Sequence, residues 1–373
     1  MAATSGADSS LLRRFNQAAV LRALHAAADT GLTLTELVKA TEVARATVEN
    51  ALAGLVDQGL AAEVAPDPDA PRRLGRPAKR YRFRAESGCV LGLDIGVHKA
   101  LAIVCDLAGT VLGVRRTAMG PELNPDQRIA AARALGHRTL RGAGQQTGAV
   151  RAVGVGTTGI VDTDHTVTIS AVLPEWQGTN LASAFETTFG APVVAGNDSK
   201  LAALGERWRG GATDARDVVY IHVGRRISAG ILLDGTVLHG RHGAAGEIGV
   251  LPGSGWHNAH RRLLDRWGTP ERLFDAARCD DPSAIKALDD FAADLVQGVA
   301  AVVLTVDPEA VVIGGGLSRA GELLLAPLRS RLAELCLFPV TVVASQLSDQ
   351  AVAHGALRLA LDGVESRLFS IEH

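Results

Sequence analysis

Seven basic side chains crowd into PRRLGRPAKRYRFR, residues 71–84: Arg72, Arg73, Arg76, Lys79, Arg80, Arg82 and Arg84, with no acid among them. Cations at that density suit the neutralisation of a phosphate backbone, and Gly75-Arg76-Pro77 is narrow enough to enter a minor groove. A solvated basic linker is the plainer use of such a run. A second pair of guanidiniums stands in VGRRISAGI, residues 223–231, where Arg225 and Arg226 fall between a β-like run, VVYIHV, and a turn, LLDGTVL. They could grip an anion such as a sugar phosphate, or simply fill and salt-bridge their surroundings. Metal chemistry has less to offer. Cys89, Cys105, Cys279 and Cys336 lie far apart with no CxxC pair, and His257 with His260, without thiolates, makes a poor structural zinc site.

Apolar residues recur at helical spacing from Leu11 to Ala28, and Asp29-Thr30-Gly31 reads as the helix end. Thr33-Leu34-Thr35-Glu36 fits a capping box for a short helix through Ala40. A third helix, ARATVENALAGLVDQG, sets Val48, Leu52, Leu55 and Val56 on one face, shows Arg45, Thr47, Glu49 and Asn50 on the other, and ends at Gly59. Two short helices joined by a tight turn, followed by strand, basic loop and strand, are the parts of a winged helix-turn-helix. Its DNA contacts would come from Arg45, Thr47 and Asn50 on the third helix and Arg72, Arg73, Arg76, Lys79 and Arg80 on the wing. A generic three-helix bundle is the alternative.

The remainder alternates strand-like and helix-like segments, an α/β pattern, and it repeats itself. VLGLDIGVHKALAIVCDLAGTVLGV from Val90 and VVYIHVGRRISAGILLDGTVLHG from Val218 both read strand, turn, strand, turn, strand, with Gly-Thr-Val-Leu in the second turn at 109–112 and 235–238. Two related halves facing each other leave a cleft as the natural ligand site. The chain has 373 residues, 47% of them hydrophobic and 21% charged, enough for two or three domains with a sizeable core. A net charge of −2 gives no global attraction to nucleic acid, so any such contact is local. No signal pattern opens the chain and no apolar run approaches a membrane span, so a cytoplasmic location away from membranes is expected.

With these segments together the chain resembles a sugar-responsive transcriptional regulator of the ROK family (repressor, open reading frame, kinase), a winged helix-turn-helix followed by a two-lobed actin-like, ribonuclease H-like domain. The resemblance runs through the Gly-Arg-Pro wing, DIGVHK (94–99), TTGIVD (157–162), GNDSKLAALGE (196–206), GAAGEIGVLP (243–252) and VVIGGGLSRAGELL (311–324). It implies domains at 1–85, at 86–196 with about 345–373, and at 197–344. It also implies a sugar site at Gly159, Asn197, Asp198 and Glu247, with Asp198 where family kinases keep their base. Asn197 and Asp198 serve equally well as a helix cap before SKLAALGERW.

Departures from the pattern touch the phosphate loops. The resemblance places Asp-Ile-Gly-Gly-Thr-Lys where this chain has Val97 and His98, and Gly-Thr-Gly-Ile-Gly where it has Arg225, Arg226 and Ser228. Glycine permits backbone shapes that cradle phosphate, and these residues obstruct them. The family's zinc-binding histidine is replaced by Val250, and GSGWHNAHRRLLDRWGT supplies no cysteine. The expectation is therefore a catalytically inactive, kinase-like regulator with no ATP and no zinc. It would be a repressor of carbohydrate genes that binds double-stranded operator DNA as a homodimer or homotetramer and answers to a sugar or sugar phosphate. The alternatives are an ATP-dependent sugar kinase with an added DNA-binding domain, and a ligand-independent DNA-binding protein whose C-terminal part only dimerises.

Overall fold

A computed structural model describes residues 4–27, 30–64, 78–224 and 226–369. The first elements are α1 (Thr4–Ala26), β1 (Leu32–Thr33), α2 (Leu34–Thr41), α3 (Arg45–Asp57), β2 (Ala61–Glu63) and β3 (Arg80–Phe83). The capping box forms: Thr33 donates its backbone N–H to Glu36 Oε2 at 2.7 Å, and Glu36 returns its own N–H to Thr33 Oγ1 at 3.2 Å. α2 stops at Glu42, whose φ of 56° turns the chain into α3. Antiparallel pairing sets Ala61 opposite Phe83 and Leu32 opposite Tyr81, which completes a small sheet in the order β1-β3-β2 behind the helices.

On α3 the buried residues are Val48, Ala51, Leu52, Gly54 and Leu55, whereas Val56 is 41% exposed. At about 100° per residue the stripe centres on Leu52 and Leu55, so Ala51 falls inside it and Val56 at its edge.

Two five-stranded sheets follow, with the same plan. In the first, β4 (Cys89–Ile95), β5 (Lys99–Asp106) and β6 (Val111–Ala118) form an antiparallel meander, and β7 (Val150–Thr157) and then β10 (Val193–Asn197) add in parallel beside β4. The short hairpin β8 (Ile160–Val161) and β9 (Val167–Ile169) lies between those two strands in sequence. In the second sheet β11 (Val218–Val223), β12 (Ile227–Leu233) and β13 (Thr236–Val237) form the meander, with β14 (Ala310–Gly314) and β15 (Thr341–Ala344) parallel beside β11. The repeated Gly-Thr-Val-Leu segments occupy equivalent turns, and both Gly109 and Gly235 have positive φ.

Helices α4 (Pro125–Gly142) and α5 (Leu181–Phe189) cover the first sheet, while α7 (Trp256–Trp267), α8 (Pro270–Arg278), α9 (Pro282–Val306) and α10 (Glu322–Leu335) belong to the second lobe. α6 (Asp198–Arg209) and α11 (Ala351–Phe369) pack together between the sheets. Gly205 and Gly355 allow the close approach, since a Cβ on Gly355 would come within 1.7 Å of Leu201 O. α11 also joins the winged helix to the first lobe. Leu357, Leu361 and Val364 share one buried cluster with Val20, Leu24, Leu37 and Phe83 and with Val90, Leu101 and Ile103 of the sheet. Among the described residues no helix is long and apolar enough to cross a membrane.

Candidate ligand site and nucleic-acid interface

Parallel strands place their carboxyl ends at the edge of a crevice where ligands gather. Here β7 and β10 end at Thr157 and Asn197, β11 and β14 end at Val223 and Gly314, and the space between them is a cavity of about 810 Å³. Gly159, Asn197, Asp198 and Glu247 all line it, together with Val97, His98, Arg226 and Ser228. Residues up to 150 positions apart in sequence are thus on one wall system.

Asn197 has two tasks. Its Oδ1 accepts from Lys200 N at 3.2 Å and caps α6, and its Nδ2 donates to Gly159 O at 2.9 Å. Gly159 itself has φ 101°, and a Cβ there would lie 2.5 Å from Ile169 O. Asp198 is held by Ser199, whose N–H donates to Oδ1 at 2.7 Å, and the Ser199 hydroxyl in turn meets that of Ser228 on β12. Across the cavity, Glu247 is pushed up in pKa by burial and by Asp198, against the pull of Lys200 and Arg226.

Three residues that shape the site were given no role by the sequence: Asp94 and Lys200 stand inside DIGVHK and GNDSKLAALGE, and Arg128 lies in neither. Asp94, 6% exposed and next to last in the otherwise apolar β4, lines the same cavity. Burial lifts its carboxyl to about 7; Lys99 opposes that rise, and Asp198 and Asp349 add to it. Lys200 is 2% exposed and donates to the carbonyls of His239, at 3.2 Å, and Gly243, which ties α6 to the loop that carries Glu247. Arg128, 1% exposed on α4, donates to Gly96 O at 2.7 Å, Val97 O at 3.2 Å and Gly120 O at 2.9 Å. It pins the first loop from behind, by its carbonyls. An acid inside β4 and an arginine beside Ile129 on the buried face of α4 were the available hints.

An anion nest needs successive N–H groups made convergent by alternating right- and left-handed residues. In the first loop Gly96, Val97 and His98 are not left-handed, nor is Gly224 at the start of the second; Arg225 lies outside the described residues. Val250, 61% exposed, carries no donor atom, and the first cysteine beyond it is Cys279. His257 is exposed, the side chain of His260 lies outside the described residues, and no group of three metal-ligating side chains occurs among the described ones.

The candidate nucleic-acid surface is divided. Arg45 and Asn50 are exposed on α3 and Thr47 is half-buried. Arg45 pairs with Glu49 at 3.1 Å, a contact exposed enough to exchange for phosphate at little cost. Lys79 pairs with Glu63 at 2.7 Å, and Arg80 donates to Thr30 O at 3.1 Å and Gly31 O at 2.8 Å and pairs with Glu36 at 3.2 Å, so both lock the base of the wing. Arg72, Arg73 and Arg76 lie outside the described residues.

This two-lobed geometry has known counterparts. The sequence matches the ROK family over residues 90–255 and 256–363. The chain belongs to the ROK family. Residues 13–72 match the MarR family separately. Among ROK relatives, the xylose repressor of Caldicellulosiruptor bescii is 25% identical, covering 95% of this chain and 98% of that protein. The glucokinase of Streptomyces coelicolor is 30% identical and covers 73% of this chain and 98% of its own length. A solved ROK family transcriptional regulator, a homologue of the E. coli MLC protein, superposes with a TM-score of 0.75 at 21% identity over 97% of this chain and 100% of that one. The repressor match thus covers more of this chain than the glucokinase match does, 95% against 73%.

Proposed function

We propose that this protein is a DNA-binding transcriptional repressor whose ROK cleft binds a sugar and no longer phosphorylates it. One observation carries the reading: the winged helix and the wall of the cleft share α11, which lines the cavity at Val352 and packs into the core of the DNA-binding domain at Leu361 and Val364. Relatives named as xylose repressors over nearly the whole chain support it. Asn197, Asp198 and Glu247 would accept and donate to sugar hydroxyls, and the exposed face of α3 would enter a major groove. Sugar would release DNA by favouring an arrangement of α11 and the winged helix that fits the operator badly, because an effector shifts an equilibrium only by its differential affinity. A symmetric dimer would match a palindromic site.

The loss of catalysis is part of the proposal. Val97 and His98 give the first loop no left-handed residue, Arg225 and Arg226 stand in the second where glycine would be needed, and the residues around Val250 do not fit zinc. The rival reading, a sugar kinase, draws on Asp198 in the cavity wall and on glucokinase relatives at about 30% identity. A coupled assay with ATP and a panel of aldoses separates the two: the proposal expects no turnover above a no-enzyme blank, and turnover abolished by Asp198→Ala would replace it with the kinase.

A further inference from the structure

The cleft has a second end that the sugar reading leaves unexplained. At the carboxyl edge of the second sheet, His222 stands opposite Ser228 on β12 and beside Gly314 on β14, so strand register gathers His222, Arg226 and the Gly314-Gly315-Gly316 turn at one place. The cavity touches His222, Arg226, Gly315 and Gly316. Gly315 has φ 84°, and a Cβ there would sit 2.5 Å from Val223 O, so the turn is pressed against the end of β11. The His222 ring lines the cavity, and its Nδ1 is buried without a hydrogen-bond partner. Arg226 is exposed and lines the cavity, forms no ion pair within salt-bridge distance among the described residues, and lowers the pKa of Glu247 through its field. The cations of the opposite wall are otherwise engaged: Lys99 and Arg116 share Asp349 at 3.4 and 3.3 Å.

Among the described residues, a buried imidazole nitrogen without a partner and a guanidinium without a carboxylate thus stand in one wall of the cavity, a pairing that suits an anion. A buried ring nitrogen is costly to leave unpaired, and a phosphate monoester offers three acceptor oxygens that suit the exposed guanidinium fork beside it. Glu247 connects this end to the sugar end, since it feels both Arg226 and Asp198. We infer that the cleft takes a phosphorylated sugar, its hydroxyls on Asn197, Asp198 and Glu247 and its phosphate on Arg226 and His222. This rests on the sugar-responsive reading and names the class of the effector. The phosphate is held by side chains, in place of the backbone nest that a nucleotide would need.

The test is calorimetric titration of the full chain with D-xylose, D-glucose and D-mannose, each beside its phosphate ester at the terminal hydroxyl, with inorganic phosphate and ATP as further arms. At least one ester binds about tenfold or more tighter than its parent sugar, since hydrogen bonds to charged groups contribute at least that factor. Added salt narrows the gap, and in Arg226→Gln the ratio of the two affinities falls to about one, with Arg226→Lys intermediate because it keeps charge but loses the fork. Because Arg226 is exposed, these variants fold. Parent and ester binding equally well would overturn the phosphate subsite while leaving the sugar-controlled repressor standing. ATP or inorganic phosphate matching the ester would overturn it in favour of a general anion site, and no binding of any sugar or ester would overturn both readings.

Discussion

The ring of Phe369, at the end of α11, lies 5.3 Å from the ring of His25 on α1, and the Phe83 ring of the winged helix meets the same imidazole edge-on at 5.2 Å. One end of a single helix thus touches the DNA-binding domain while the other, at Val352, forms part of the ligand cavity. Its 19 residues span about 28 Å, the separation over which a signal must travel. Contact by itself is no coupling; α11 must take two positions that ligand and DNA prefer differently.

Phe369→Ala is expected to leave sugar affinity within about twofold while cutting sugar-induced DNA release, since a typical coupling energy is only about 1–3 kcal/mol and rests on few contacts. Calorimetry for the ligand and fluorescence anisotropy for DNA measure the two separately. A variant that still releases DNA like the parent would remove the α11 contact from the pathway.

Asp94 makes stability depend on pH in a stated direction. Its folded value of about 7 stands above the ordinary 3.8, so the folded protein holds the proton more tightly, and the stability linked to neutral Asp94 is fully present below about 4 and lost as pH rises through 7. Asp94→Asn keeps the neutral shape at every pH. Denaturant midpoints should show the variant gaining on the parent by on the order of a few kcal/mol at pH 8, and little at pH 4. Parallel pH profiles would refute the burial of a reluctant carboxylate.

Arg128→Met should destabilise the first lobe by about 2–4 kcal/mol, because three carbonyls lose their donor at once in a buried site. Urea denaturation reads this directly. A loss below about 0.5 kcal/mol, the range of ordinary surface changes, would mean that the first loop does not depend on it.

Arg45→Ala and Arg76→Ala should each weaken DNA binding and lower the slope of log affinity against log salt by about one, the signature of one phosphate contact removed. Arg80→Ala should instead lower the thermal midpoint, since its guanidinium is tied to the carbonyls of Thr30 and Gly31 as well as to Glu36, whereas the exposed Lys79–Glu63 pair should contribute little to stability. The reversed outcome would move the DNA contacts from Arg45 and Arg76 to Arg80.

Much of this was legible in the chain. The Thr33–Glu36 box, the paired Gly-Thr-Val-Leu turns and the motifs holding Gly159, Asn197, Asp198 and Glu247 are local signals, and the structure brings the last four into one cavity. What escaped depends on partners distant in sequence. Arg80 reads as one more cation of a basic run, yet it meets the carbonyls of residues 30 and 31; Arg128 reads as a helix-surface arginine, yet it is buried against a loop some thirty residues earlier. Charge pattern reports sign and density, and only packing decides which charges already have partners.

The central claim is that ligand in the cleft controls DNA binding at the winged helix. It is tested most directly by anisotropy of a labelled duplex, selected by the protein itself from a random pool, titrated with aldoses and their phosphate esters. At least one of them should weaken DNA binding by about 5-fold or more, the lower end of usual allosteric coupling, and Asp198→Asn should abolish the effect without abolishing DNA binding. DNA affinity unmoved by every ligand, or a response that persists unchanged in Asp198→Asn, would contradict it.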